Sequence, residues 1–205
     1  MKLYDSRRAP NPRRVRWFLA EKGITDIEII DVDLFTGQHK TPEYLKKAGV
    51  AQVPVLELDD GLFISESIAI CRYLESLYPE PNLFGCTPEE TAVIEQWMRR
   101  AEMYLATPLM MAVRHGHPAL AALETQSPDY AERNRADALK ALNLFERQLS
   151  THPFIAGDRF TIADIVAYIG LDFARMVKFV VPDEFPHVQH WAAELKARPA
   201  ASAGV

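Results

Sequence analysis

The stretch Gln52–Leu74, QVPVLELDDGLFISESIAICRYL, decides the fold. Val53, Val55, Leu56 and Leu58 make a short apolar strand that Pro54 interrupts near its start. Proline cannot donate to a sheet ladder, so a proline inside a central strand needs a reason. A cis Val53–Pro54 bond is one such reason, because it turns the preceding backbone outward to meet a ligand. Asp60-Gly61 signals a tight turn, and Leu62, Phe63 and Ile64 form a second strand. Ser65-Glu66-Ser67 then opens a helix over Glu66–Leu77. The free N–H groups and the Ser67 hydroxyl at such a terminus suit a carboxylate.

Outward from this core, the first eighty or so residues alternate in type. Lys2–Tyr4 reads as a strand and Pro12–Lys22 as a helix with Val15, Phe18 and Leu19 on one face. Gly23 closes that helix. Ile27–Val32 is the next strand and Pro42–Lys47 a short helical piece. Two strands joined through a helix pair in parallel. Pro79, Pro81, Asn82 and Pro88 concentrate helix breakers in a linker.

Beyond the linker the pattern is helical. Pro88–Arg114 carries Ile94, Trp97, Met98, Ala101, Leu105, Leu109 and Ala112 at three-to-four spacing. Tyr130–Leu149 repeats this with Leu139, Leu142, Phe145 and Leu149. Thr161, with Asp164 three places on, marks a capped helix start. Pro186–Ala197 is a shorter final helix, stopped by Arg198-Pro199.

The quoted motif, proline then turn then Glu66-Ser67 then Ala69-Ile70…Tyr73-Leu74, resembles the glutathione-binding half of the cytosolic glutathione transferases. The resemblance runs nearly the full length. It implies an α/β thioredoxin-like N-terminal domain over residues 1–78 and an all-α C-terminal domain over 88–205. In that family the proline is cis, the residue before it pairs with the tripeptide through its backbone, and the acid–serine pair holds the γ-glutamyl end. These roles fall on Pro54, Val53, Glu66 and Ser67. Gly37-Gln38-His39-Lys40 resembles the pattern by which phi-class members reach the glycine carboxylate, with Lys40 and His39 as contacts and Gln52 as a third. Ala48-Gly49 stands where the family usually has Asn-Pro. The Thr161/Asp164 cap also matches the family, where it serves folding.

The enzyme chemistry needs a thiolate, and a free thiol with pKa about 8.5 is mostly protonated at neutral pH. Donors and positive potential must therefore flank the sulfur. The loop Asp5–Pro12, DSRRAPNP, is placed to supply them. Asn11 suits an N-cap and Pro12 a first helical position, so the helix should begin at Pro12 with its positive end toward the sulfur. Phi and zeta members carry a serine where this chain has Ala9. Asn11, two places later, resembles the nu class, which reduces disulfides. Asn11 is then the expected donor, Ser6 a competitor in the same loop, and Tyr4 a residue more naturally placed in the core. Arg7, Arg8, Arg13, Arg14 and Arg16 crowd ten residues; they read either as a source of positive potential or as a solvated face.

The resemblance implies glutathione as co-substrate and a small hydrophobic electrophile or disulfide as acceptor, with Tyr104, Thr107 and Met111 at spacing that could line the acceptor site. A homodimer is implied, with Glu66 and Ser67 near its interface. A catalytically silent glutathione-binding scaffold is the reading Ala9 keeps open. The composition agrees with a globular chain: 48% of residues are apolar and 25% charged. No apolar run reaches the ~20 residues needed to span a bilayer, and Met1-Lys2 leads into a strand rather than a secretory signal. The formal charge of −5 argues against nucleic acid. Cys71 and Cys86 lack metal or CxxC spacing, which points to a reducing cytoplasm. Arg114, His115 and His117 (RHGHP) have no further ligands at metal spacing, so no metal is expected.

Overall fold

The computed structural model describes residues 1–203. They form two compact units, one of Met1–Pro81 joined by Ser202 and Ala203, the other of Asn82–Ala201.

The first unit is built on four short strands: β1 (Lys2–Asp5), β2 (Glu28–Asp31), β3 (Val55–Glu57) and β4 (Phe63–Ser65). They lie in the order β2-β1-β3-β4, with β1 and β2 parallel and the other pairs antiparallel. Helix α1 (Pro10–Lys22) makes the parallel crossover from β1 to β2. Helices α2 (Pro42–Ala48) and α3 (Ser67–Leu77) complete the unit. Cross-strand partners Leu3 and Leu56 are fully buried on one face of the sheet. Alternation turns Tyr4 and Val55 to the other face, where they pack with Val32, Tyr44, Ala48 and Val53.

Several boundaries differ from the sequence expectation. Helix α1 begins at Pro10, not Pro12, and its cap is Ala9, with extended backbone at φ −81° and ψ 137°. Pro10 and Pro12 both fall in the first turn, where N–H groups have no intrahelical acceptor, so neither proline sacrifices a bond. Asn11 therefore sits inside the first turn and is not the cap. The expected C-cap at Gly23 is present, with φ 65° in the left-handed region. The strands are shorter than the apolar runs suggest, because only residues with a ladder partner count as strand. The Val53–Pro54 peptide is cis.

The second unit is helical: α4 (Pro88–Arg100), α5 (Thr107–Gly116), α6 (Pro128–Leu149), α7 (Ile162–Ala174) and α8 (Pro186–Ala197). The continuous helix expected over Pro88–Arg114 is instead widened into a π-turn at Ala101–Ala106. Pro108 is the reason: it has no N–H for the carbonyl of Tyr104, and its ring would press on that carbonyl in a regular α-helix. The Thr107 N–H accordingly reaches back five residues to the Glu102 carbonyl. Helix α7 is buried almost throughout. Gly170 lets it approach the π-turn, since a Cβ there would lie 2.7 Å from Ala106 Cα. The Thr161/Asp164 capping box opens α7 as expected.

Candidate functional site

In the first unit a small, shallow depression is lined by Asn11, Val50, Gln52, Val53, Pro54, Ser65, Glu66 and Ser67. Three elements meet there: the first turn of α1, the segment entering β3, and the β4–α3 junction. Six of the residues expected from the sequence are thus brought together. Val50 and Ser65 were not anticipated, although each adjoins a residue or motif that was.

The floor segment is held from below. The Tyr44 hydroxyl donates to the Gln52 carbonyl at 2.6 Å. Burial, with the nearby Tyr4 phenol adding to it, pushes the Tyr44 phenol up to about 12, so it remains a donor across the neutral range. Among the described residues, neither the N–H nor the carbonyl of Val53 joins a turn, loop or cap hydrogen bond. A backbone amide of this kind beside a groove can pair with a peptide laid alongside it, as an added strand would.

At the opposite wall the chain enters α3 through Glu66, whose φ of 72° is unusual for a residue with a side chain. This conformation leaves the Glu66 side chain exposed while its carbonyl accepts the first helical bond, from Ile70 N–H at 3.0 Å. Ser67 is the first helical residue and is buried. The N–H groups of that first turn have no intrahelical acceptor, and with the helix dipole they favour an anion. A zwitterion fits the pair: Glu66 can meet an ammonium, Ser67 and the helix end a carboxylate.

Asn11 forms the third wall. Its side-chain oxygen is buried and has no hydrogen-bond partner. An orphaned acceptor of this kind is completed only by a donor, whereas the amide NH2 is the part of Asn11 that can donate to an anion. Ser6 does not line the depression; its carbonyl accepts from Ala9 N–H at 2.9 Å in the turn preceding α1. That loop is pinned by Arg16, which pairs with both oxygens of buried Asp5 and donates to the Arg7 carbonyl at 2.7 Å. Tyr4 packs edge-on against Tyr44, donates to Glu57 at 2.5 Å and accepts from Lys47 at 3.2 Å, so its hydroxyl is committed elsewhere.

The structure does not bring His39 and Lys40 to this wall. They occupy a single 3-10 turn, Gln38–Lys40, with His39 turned inward to 7% exposure and Lys40 facing solvent. Burial, and the Lys40 charge beside it, hold the His39 imidazole below its ordinary value. In the second unit the π-turn leaves Tyr104 half exposed, with Thr107 exposed and Met111 partly so. Cys71 is buried and Cys86 exposed, both as free thiols. Among the described residues no group of three or more His, Cys, Asp or Glu side chains is placed to hold a metal ion, and no helix is long and apolar enough to cross a membrane.

Comparison with known proteins returns one family across the chain. Residues 1–76 match the glutathione S-transferase N-terminal domain and residues 94–199 its C-terminal domain. Glutathione S-transferase 2 of Saccharomyces cerevisiae is 39% identical over 97% of this chain and 87% of its own length. The crystal structure of Gtt2 from Saccharomyces cerevisiae superposes with a TM-score of 0.93 at 38% identity, covering 100% of both chains. A glutathione S-transferase domain-containing protein of Marinobacter aquaeolei superposes at 0.92 with 40% identity, over 98% of this chain and 100% of that one.

Proposed function

Because the chain belongs to the glutathione S-transferase family, we propose that it is a glutathione transferase in which Asn11, not a serine or tyrosine hydroxyl, stabilises the glutathione thiolate. The thiolate attacks an electrophilic carbon of a small apolar acceptor; the carbon–sulfur bond forms as the leaving group departs with its electron pair. The observation that carries this reading is the convergence of Asn11, Val53, Glu66 and Ser67 on one depression. Val53 pairs with the tripeptide backbone, Gln52 adds a polar contact, and Glu66 and Ser67 hold the γ-glutamyl ammonium and carboxylate. His39 and Lys40 are proposed for the glycine carboxylate, His39 by turning outward. Tyr104, Thr107 and Met111 are proposed acceptor contacts. The first domain is taken as 1–78 and the second as 88–205. A cytoplasmic homodimer is the proposed state.

Ala9 at the cap of α1 offers no hydroxyl. Asn11 in place of a serine favours a second reading, in which disulfide reduction outruns conjugation. There the thiolate attacks one sulfur of a small disulfide, releasing the other as a thiolate, and a second glutathione resolves the mixed disulfide.

The test is calorimetry with reduced glutathione, followed by turnover of a dihalonitroarene and of hydroxyethyl disulfide. Asn11→Ala should lower turnover at least about tenfold, since a hydrogen bond to a charged group contributes about 1.5–3 kcal/mol. Unchanged turnover would transfer the donor role to Ser6. Absence of binding at millimolar glutathione would end the transferase reading.

A further inference from the structure

Arg14 lies on α1, three residues beyond Asn11 and so on the same side of the helix. Unlike an ordinary solvated arginine it is buried, at 3% exposure. A guanidinium nitrogen of Arg14 lies 3.4 Å from the Ser67 hydroxyl, which is itself buried at 4% exposure. Its charge is also felt one turn further along α3: burial pushes the Cys71 thiol up, and Arg14 pulls in the other direction. The guanidinium therefore stands behind the first turn of α3.

The N-terminus of a helix is its positive end, so an anion held at Ser67 would meet both that end and the Arg14 charge.

The donor chemistry sharpens this. A guanidinium has only N–H donors. Toward Arg14 the Ser67 oxygen can only accept. The hydroxyl proton is consequently left to point elsewhere, and the depression lined by Ser67 is on hand.

We propose that Arg14 is a positioning residue for the γ-glutamyl carboxylate: it fixes the Ser67 hydroxyl as a donor into the site and places a fixed positive charge behind it. This rests on the glutathione-binding reading above and assigns a role to one member of the arginine cluster that the reading leaves unused. Arg14 touches neither the sulfur nor the acceptor, so its effect belongs in glutathione affinity rather than in the chemical step.

The experiment is a double-mutant cycle between Arg14→Gln and Ser67→Ala, read by glutathione titration and steady-state kinetics, with thermal unfolding alongside. Arg14→Gln should weaken glutathione binding about tenfold in the parent background, as expected for a charge-assisted contact. In the Ser67→Ala background the same substitution should cost less than about half of that factor, because groups acting through one contact are not additive. KM for glutathione should rise while kcat at saturating glutathione and KM for the acceptor stay within about twofold, whereas a loosened α1 would move all three. Arg14→Lys, which keeps the charge without the fork, should recover part of the affinity and runs the same cycle if Arg14→Gln does not fold. Unchanged affinity, or equal losses in both backgrounds, overturns the role of Arg14 alone. A parent protein that binds no glutathione overturns the functional reading and this inference with it.

Discussion

Asp164 provides the sharpest test of how the second unit is held. Its carboxylate is fully buried and accepts four hydrogen bonds. One oxygen takes the Ile155 N–H at 3.0 Å and the Trp191 indole N–H at 2.9 Å. The other takes the Thr161 N–H at 2.9 Å and the Thr161 hydroxyl at 3.2 Å. Burial pushes the Asp164 carboxyl up, while these donors pull it down. All four partners act as donors, which is the pattern an ionised carboxylate satisfies. In Asp164→Asn the amide nitrogen can replace either oxygen. Facing Ile155 and Trp191 it would orphan two N–H groups; facing Thr161 it orphans one, because the hydroxyl can rotate to accept. The second orientation should win and cost about 1–3 kcal/mol, the penalty for one unsatisfied buried donor. Asp164→Ala orphans all three N–H groups and should cost at least about 4 kcal/mol. Urea unfolding followed by far-UV circular dichroism measures both, and the Asn variant should melt roughly 2–12 °C lower, given about 2–4 °C per kcal/mol at this size. An Asn variant as stable as the parent, or as damaged as the Ala variant, would refute the donor-by-donor reasoning.

Gly170→Ala should destabilise the protein by about 1–3 kcal/mol, because its new Cβ would press on the Ala106 backbone rather than on a movable side chain. Unfolding at the parental urea midpoint would show that α7 and the π-turn can separate without cost. The buried His39 imidazole has a lowered pKa, so the unfolded chain binds the extra proton first as pH falls. The associated stability is complete above about 6.5 and is lost as pH drops toward the folded-state value. His39→Gln should flatten the stability–pH curve in that window, and an unchanged slope would show that His39 titrates freely in the folded protein.

Much of the first unit was legible because its signals are local. Pro54, Asp60-Gly61 and Glu66-Ser67 each restrict the backbone within a few residues, so their order alone named the hairpin, the groove and the helix end. Asn11 lines the depression but lies two positions further into its helix than its sequence suggests, because Pro10 and Pro12 satisfy the same first-turn rule. The π-turn went unread although Pro108 was visible: an apolar stripe at three-to-four spacing persists through a widened turn, and periodicity alone does not register it. The inward turn of His39 could not be anticipated, since a loop sequence carries no record of which way a ring packs.

The order of elements, the cis-proline groove and the capped start of α7 were determined by the sequence itself, since each follows from what a few neighbouring residues permit the backbone to do. Only the tertiary structure decided that Arg14 lies behind Ser67, that Tyr4 belongs to Glu57 and Lys47, and that Gly170 admits Ala106. Those pairs are 53, 53, 43 and 64 residues apart in the chain. Nothing in local propensity encodes a meeting at such separations; it is set by how buried surfaces pack once the strands and helices are in place.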